Sequence, residues 1–373
     1  MSFRRVFLNA PEASAVRVAL LAHGPLGPAR GRACQGSSGS ARRALVCVFM
    51  AALFLAACAP AVRGPGPAMG TPELTGEAFI AADGAVLPLR VWKPEGTPRA
   101  VLLALHGFND YANFFDDPGD FLALRGVQSY AFDQRGFGAA PAPGTWAGVD
   151  AYVADARSVL AEIKAHHPGV PLYLQGTSMG GAVAMLAASG AGAPAVDGVI
   201  LAAPAVWGRV TMPWYQRLAL WVGAHTVPWM TLTGRGLGIV PSDNYEMLVA
   251  LGADPLIIKE TRVGAIYGLV NLMDAALDAA PDFRATALIL YGEKDEIIPK
   301  GPPRMMLESL PEAARARQRI ALYEGGFHML LRDLQAATVW KDMAAWMVDP
   351  VGPLPSKADR RGLEPLGISE ARK

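Results

Sequence analysis

Short apolar runs recur along this chain, each separated from the next by sequence that patterns as helix or turn. Ala100–Leu105, Val127–Phe132, Pro171–Leu174, Gly198–Ala202 and Ala287–Tyr291 show the pattern, and Arg319–Tyr323 shows it more weakly. Short runs without regular polar alternation fit strands buried on both faces, the situation of a parallel sheet held between two helical layers. Val149–Ala165 and Met179–Ala188 are the clearest helical stretches between them. Strand alternating with helix implies right-handed crossovers and an α/β architecture. Ahead of these runs, Glu77–Ala82 and Val86–Trp92 flank Asp83-Gly84 and read as a hairpin, so the predicted sheet is mixed but mostly parallel.

Composition narrows what such a sheet can serve. At 373 residues and 52% hydrophobic, with only 18% charged, the chain can bury a large core and is not intrinsically disordered as a whole. A net charge of +1 gives no footprint for nucleic acid. The three cysteines, Cys34, Cys47 and Cys58, all precede the first strand-like segment, so neither a disulfide framework nor a cysteine zinc site can hold the main body.

The charge is unevenly placed. Residues 1–57 hold seven arginines and one acid, Glu12, leaving 27 basic and 32 acidic residues for the rest. This leader reads as a targeting segment. Arg42-Arg43 precede the apolar run Ala44–Ala57, which closes on Leu55-Ala56-Ala57-Cys58. The run is short for a membrane-spanning helix, which needs roughly 20 residues. It resembles a bacterial lipoprotein signal, and that resemblance implies lipidation of Cys58. An ordinary secretory signal with an incidental cysteine is the alternative. Residues 58–76, rich in proline and glycine, read as a tether. The tail from 349 to 373 mixes proline, glycine and charge and reads as disordered. Between about 207 and 280 no convincing strand occurs, and this interval is predicted to be a helical cap over the sheet. Its tryptophans Trp207, Trp214, Trp221 and Trp229 recur near two-turn spacing. They are expected to form one packed face, part of which could line an acyl tunnel or meet a bilayer.

One segment carries chemistry. Gly176-Thr177-Ser178-Met179-Gly180-Gly181 joins the run at Leu172–Leu174 to a helix rich in small residues, the setting of a G-x-S-x-G nucleophile elbow. A neutral serine needs a base that removes its proton and a third group that orients the base. On sheets of this kind the acid and then the histidine follow the nucleophile in the chain. His328, in Gly325-Gly326-Phe327-His328 after the last strand-like run, is the candidate base; His225 is the other histidine beyond Ser178. Glu293 and Asp295, leaving the run at 287–291, are both candidates for the acid. The developing oxyanion needs preorganised donors. These are the backbone N–H of Met179, directly after the nucleophile, and that of Phe108 in His106-Gly107-Phe108. His106, Asp133 and Arg135 read as loop braces.

Taken together, Leu105-His106-Gly107-Phe108, Asp133-Gln134-Arg135-Gly136-Phe137-Gly138, the elbow, Gly198–Pro204, Gly292-Glu293-Lys294-Asp295 and Gly326-Phe327-His328 resemble the α/β-hydrolases of the monoacylglycerol lipase and lysophospholipase group, of the serine aminopeptidase S33 type. The pieces run in family order over residues 77–348. The resemblance implies an α/β-hydrolase fold with a cap and favours Asp295 as the acid. It also implies a Ser178–His328–Asp295 triad without metal or organic cofactor. Thr177 and Ala139 depart from residues common in the group, without touching the triad. The implied activity is hydrolysis of carboxylic esters of lipid-like substrates, monoacylglycerols or lysophospholipids, by an envelope protein anchored to a membrane through Cys58, with the outer membrane as one location. A peptidase or transacylase would use the same triad, and a non-catalytic envelope lipid-binding protein is the reading from another class.

Overall fold

The computed structural model describes residues 42, 43, 45, 46, 60, 62–236 and 238–368. Most of the leader and Cys58 lie outside the described residues, so the anchor expectation has no structural counterpart. In chain order the main body contains β1 (Glu73–Leu74), β2 (Ala78–Ile80), β3 (Val86–Trp92), β4 (Ala100–Leu105), α1 (Asp116–Ala123), β5 (Val127–Phe132), α2 (Val149–His166), β6 (Leu172–Thr177), α3 (Met179–Ala187) and β7 (Gly198–Ala202). The cap follows with α4 (Trp214–Thr226), β8 (Thr231–Leu232), α5 (Tyr245–Ala253) and β9 (Thr261–Arg262), and α6 (Val263–Ala279) comes after it. The chain then returns through β10 (Ala287–Gly292), α7 (Gly301–Ser309), β11 (Gln318–Tyr323) and α8 (Ala336–Val348).

Nine strands form one sheet in the order β1-β2-β3-β5-β4-β6-β7-β10-β11. The β1-β2-β3-β5 pairings are antiparallel, and every pairing from β5 to β11 is parallel. The apolar runs are continuous because the sheet has two buried faces. Val101, Leu103 and Leu105 point into a core shared with Tyr152, Val159 and Leu160 of α2, Val183 of α3 and Met273 of α6. Leu102 and Ala104 point the other way, against Leu122 of α1 and Met343 and Trp346 of α8. The same alternation holds along β7, β10 and their neighbours.

Three expected boundaries are corrected. The proposed tether is laid against the domain from Val62 onward. Val62 bridges to Trp146, the Arg63 N–H donates to the Trp146 carbonyl at 2.8 Å, and β1 within the stretch pairs with β2 just beyond it. Backbone hydrogen bonds offered by the neighbouring loop outweigh a composition that favours loose chain. The tail expected to be disordered packs instead as far as it is described, to residue 368. Leu354, Ala358 and Leu366 are buried, Ser356 bonds Asp342, and Arg319 pairs with Asp359 at 3.4 Å. Sparse apolar residues were sufficient because each meets a preformed core. Finally, the cap ends near Arg262. Although α6 with its following turn is apolar and long enough to cross a membrane by composition, half of it is buried, and its residues Val270, Leu272, Met273 and Ala276 belong to the main core. The cap also contains the short pair β8-β9, Thr231 opposite Arg262 and Leu232 opposite Thr261.

A buried ion triad locks the turn after β5. Arg135 donates to Asp83 of the β2-β3 hairpin at 2.8 Å and 2.9 Å, and to Asp155 of α2 at 2.6 Å and 3.1 Å. The guanidinium holds the Asp83 carboxyl down to about 2, whereas burial pushes that of Asp155 up. The Asp83 contribution to stability is therefore complete above the ordinary carboxylate range and is lost as pH falls toward about 2. Arg135→Met should destabilise the protein by about 3–5 kcal/mol at neutral pH, because two desolvated carboxylates lose their partner. Urea unfolding should also show that deficit shrinking as pH is lowered, since protonation removes the unpaired charges; a deficit independent of pH would refute this account.

Candidate active site

The elbow is built by steric exclusion. β6 runs into α3 with Ser178 at φ 53° and ψ −115°, a conformation costly for a side-chain-bearing residue. The turn can close only because its flanks lack a Cβ. One at Gly176 would lie 2.1 Å from the Gly180 carbonyl oxygen, and one at Gly180 would lie 2.2 Å from that of Leu105. Two backbone donors, Ala182 N–H at 3.2 Å and Ala205 N–H at 2.8 Å, hold the Ser178 carbonyl. The hydroxyl is thereby presented at the C-terminal ends of the parallel strands.

The structure brings the three predicted side chains together across 150 residues of sequence. Ser178 Oγ lies 2.9 Å from His328 Nε2, and His328 Nδ1 lies 2.8 Å from Asp295 Oδ2. The imidazole and the carboxylate are both buried. Asp295 Oδ1 accepts the N–H groups of Ile297 at 2.8 Å and Ile298 at 3.0 Å, which fixes the carboxylate plane. Glu293, the other candidate, points elsewhere and faces Arg361 at 3.4 Å. With Nδ1–H donated to the carboxylate, Nε2 is left as the acceptor that faces the serine hydroxyl.

Met179 opens α3, where the first N–H groups have no intrahelical acceptor. Gly107 sits against the nucleophile, since a Cβ built on it would lie 3.4 Å from Ser178 Cβ, and Phe108 follows it in the cavity wall. His106 braces this loop. Its Nδ1–H donates to the Gly107 carbonyl at 2.8 Å, while Nε2 accepts the Gln134 N–H at 2.9 Å. Complete burial pushes its basicity down, which suits a neutral, structural imidazole. Asp133 bonds the N–H groups of Ala112 and Ala139, each from one of its oxygens, as expected of a brace.

Sequence reasoning missed a second carboxylate. Asp333 is buried; its oxygens accept the Ser242 hydroxyl and the Phe327 N–H, each at 2.7 Å. It therefore ties the His328-bearing turn to the cap segment between β8 and α5, and the Met329 N–H donates to the Pro241 carbonyl at 3.1 Å beside it. Burial pushes the Asp333 carboxyl up. On the other side Asn109 donates to Thr261 at 2.6 Å and Tyr111 to Asp254 at 2.7 Å, so the cap also grips the loop bearing Phe108. No motif announces these contacts, because their partners are set by how the cap folds back.

A cavity of about 410 Å³ opens on Ser178 and His328. Its walls are mostly apolar: Phe108, Trp207, Met212, Leu269, Met273 and Ile298. The carboxylate Asp110 in the wall is paired with Arg332 at 3.1 Å. Among the cap tryptophans only Trp207 reaches this cavity. Trp214, Trp221 and Trp229 are exposed, which corrects the expectation of one packed face.

The arrangement can deprotonate a serine beside an apolar binding space. The serine aminopeptidase S33 family matches residues 96–335. The monoglyceride lipase of Rattus norvegicus is 28% identical over 276 residues, covering 72% of this chain and 89% of that protein. The monoacylglycerol lipase of Mycolicibacterium smegmatis is 24% identical over 274 residues, covering 73% and 96%. Among solved structures, a soluble variant of the Saccharomyces cerevisiae monoglyceride lipase in complex with a substrate analog superposes with a TM-score of 0.61 at 25% identity, over 77% of this chain and 98% of that one. The monoacylglycerol lipase of Paleococcus ferrophilus gives 0.59 at 21% identity, over 70% and 98%, and speaks for the fold. With a mostly parallel nine-stranded sheet, a serine elbow and a match spanning residues 96–335, the chain belongs to the serine aminopeptidase S33 family and is an α/β-hydrolase of carboxylic esters.

Proposed function

We propose that this chain hydrolyses esters carrying one long acyl chain, monoacylglycerols or lysophospholipids, through an acyl-enzyme on Ser178. The observation that carries this reading is the placement of Ser178 and His328 at the wall of an apolar cavity. Ser178 Oγ attacks the ester carbonyl while His328 Nε2 takes its proton. Asp295 holds the imidazole tautomer and stabilises the imidazolium without itself accepting the proton. The N–H groups of Met179 and Phe108 hold the oxyanion. The imidazolium protonates the departing alcohol, and a water activated by the same histidine then releases the fatty acid.

A peptidase reading fits the cavity less well. An aminopeptidase must neutralise a substrate ammonium, and Asp110, the carboxylate in the cavity wall, is already neutralised by Arg332. Acyl-chain length should instead dominate selection, because each buried methylene contributes about 0.8 kcal/mol. Across monoacylglycerols and lysophospholipids of graded length, kcat/KM should rise roughly two- to fourfold per methylene until the cavity is filled. A flat profile, or faster cleavage of aminoacyl amides, would overturn the substrate assignment. Acyl transfer to an added alcohol in preference to water would identify a transacylase.

For location, the lipoprotein-like segment ending at Cys58 supports a membrane-anchored protein on the periplasmic face of the cell envelope, the outer membrane included. The intact mass of the mature N-terminus distinguishes a diacylated Cys58 from a free one.

A further inference from the structure

His328 has no helix or strand to hold it. It lies in the irregular turn between β11 and α8, so its placement rests on individual hydrogen bonds. The peptide groups on either side of it are both fixed. The Phe327 N–H donates to Asp333 Oδ2 at 2.7 Å, and the Met329 N–H donates to the Pro241 carbonyl at 3.1 Å. The second bond comes directly from the cap. The first comes from it at one remove, because Asp333 Oδ1 accepts the Ser242 hydroxyl at 2.7 Å. Asp333 and Ser242 are 3% and 2% exposed, so this relay is sheltered from competition by water.

Further bonds join the same two segments. The Asn244 amide donates to the Arg332 carbonyl at 2.9 Å while its oxygen caps α5 by accepting the Met247 N–H at 3.2 Å. The Leu334 N–H donates to Asp243 at 2.9 Å. At its other end the cap segment reaches the acid loop, where the Val240 N–H donates at 2.9 Å to Glu296, the residue after Asp295. Residues 240–244 therefore cross both the loop that bears the triad carboxylate and the turn that bears its imidazole. Pro241 also stands in the wall of the catalytic cavity, with Ile297 and Met329 from that loop and that turn.

We propose that residues 240–244 of the cap form the positioning element of the His328–Asp295 pair, with Asp333 as the positioning residue through which the cap sets the imidazole. Misplacing a reacting group by about 1 Å costs on the order of 100-fold in rate. A catalytic side chain keeps its place only where the bonds around it are themselves fixed. A carboxylate suits the task, because an ionised acceptor makes strong hydrogen bonds and takes a donor on each oxygen. The charged groups nearby are engaged elsewhere, Asp243 with the Leu334 N–H and Arg332 with Asp110. Neither Asp333 nor Ser242 lines the catalytic cavity, so their effect on the reaction runs through His328. The proposal rests on the triad mechanism above and makes the cap a working part of it.

Asp333→Ala should lower kcat for a p-nitrophenyl ester about 100-fold while KM stays within about twofold. Ser242→Ala removes only the cap's end of the relay and should lower kcat roughly tenfold. In the double variant the two losses should not multiply, because the residues act in series. Asp333→Asn should bring kcat back to within about fivefold of the parent, since its oxygen can accept the Phe327 N–H and its amide can donate to the Ser242 oxygen. The far-downfield proton resonance of His328 Nδ1–H, assigned by its loss in Asp295→Asn, reads the imidazole directly. It should shift or broaden in Asp333→Ala and Ser242→Ala. Circular dichroism and melting temperature establish that each variant is folded at the assay temperature; if Asp333→Ala does not fold, Ser242→Ala decides. Parent-level kcat in a folded alanine variant, KM rising as kcat falls, losses that multiply, an asparagine variant as slow as alanine, or an unchanged resonance in a slow variant would each overturn the proposal. If the parent chain itself turns over no ester, the lipid-ester reading fails instead, while the resonance still decides whether the cap sets the imidazole.

Discussion

Replacing Ser178 by alanine is expected to reduce p-nitrophenyl ester turnover by about 10⁴-fold or more and to abolish labelling by a fluorophosphonate probe. The size follows from the chemistry. Without Oγ there is no acyl-enzyme, and the histidine and oxyanion donors retain only what positioning and charge stabilisation can do for direct attack by water. Stability should change little. The hydroxyl makes one side-chain bond, to His328, while the backbone of the elbow is held by Ala182, Ala205 and the close approach of Gly176 and Gly180. The variant should therefore unfold at the parent temperature. Persistent labelling would place the nucleophile elsewhere. A complete absence of labelling in the parent would favour a non-catalytic lipid-binding protein.

Asp295→Asn should be nearly as severe, about 10⁴-fold in kcat, though it changes a single atom. The asparagine carbonyl can keep the two N–H bonds from Ile297 and Ile298. Its amide then faces His328 Nδ1 and must donate, which moves the ring proton to Nε2 and removes the acceptor that Ser178 needs. Binding of substrate should be unaffected, so KM should stay within about twofold while kcat collapses. Glu293→Gln is the matched control. Its side chain meets Arg361 rather than the imidazole, so turnover should be unchanged. The opposite pattern, with the Glu293 variant inactive and the Asp295 variant active, would reassign the acid.

The polar ties from the cap to both halves of the site bear on how the cap can move. Asp333 and Ser242 hold the turn of His328, and Asn109 and Tyr111 hold the loop of Phe108 against Thr261 and Asp254. Displacing the cap as a rigid unit would therefore disturb the base and the oxyanion loop together.

The amino-acid sequence by itself determined the elements whose identity is written locally. Continuous apolar runs announced strands buried on two faces, and all six predicted runs coincide with strands to within three residues at their ends. The elbow was legible because Gly176 and Gly180 are required by contacts within a few residues of Ser178 or with the adjoining strand. The choice between Asp295 and Glu293 was not legible from the residues alone; it came from a resemblance, and only the path of the β10 loop shows which carboxylate meets the imidazole. The same holds for the tail, the tether, the end of the cap and Asp333. In each of these, a residue is ordered by a partner distant in the chain. The exposed tryptophans mark the limit most plainly. Their spacing specified a single helical face, but a period cannot say whether that face turns toward the core or away from it. That was decided by which side of α4 has residues small enough to lie against α6, a property of two packed surfaces and not of one segment.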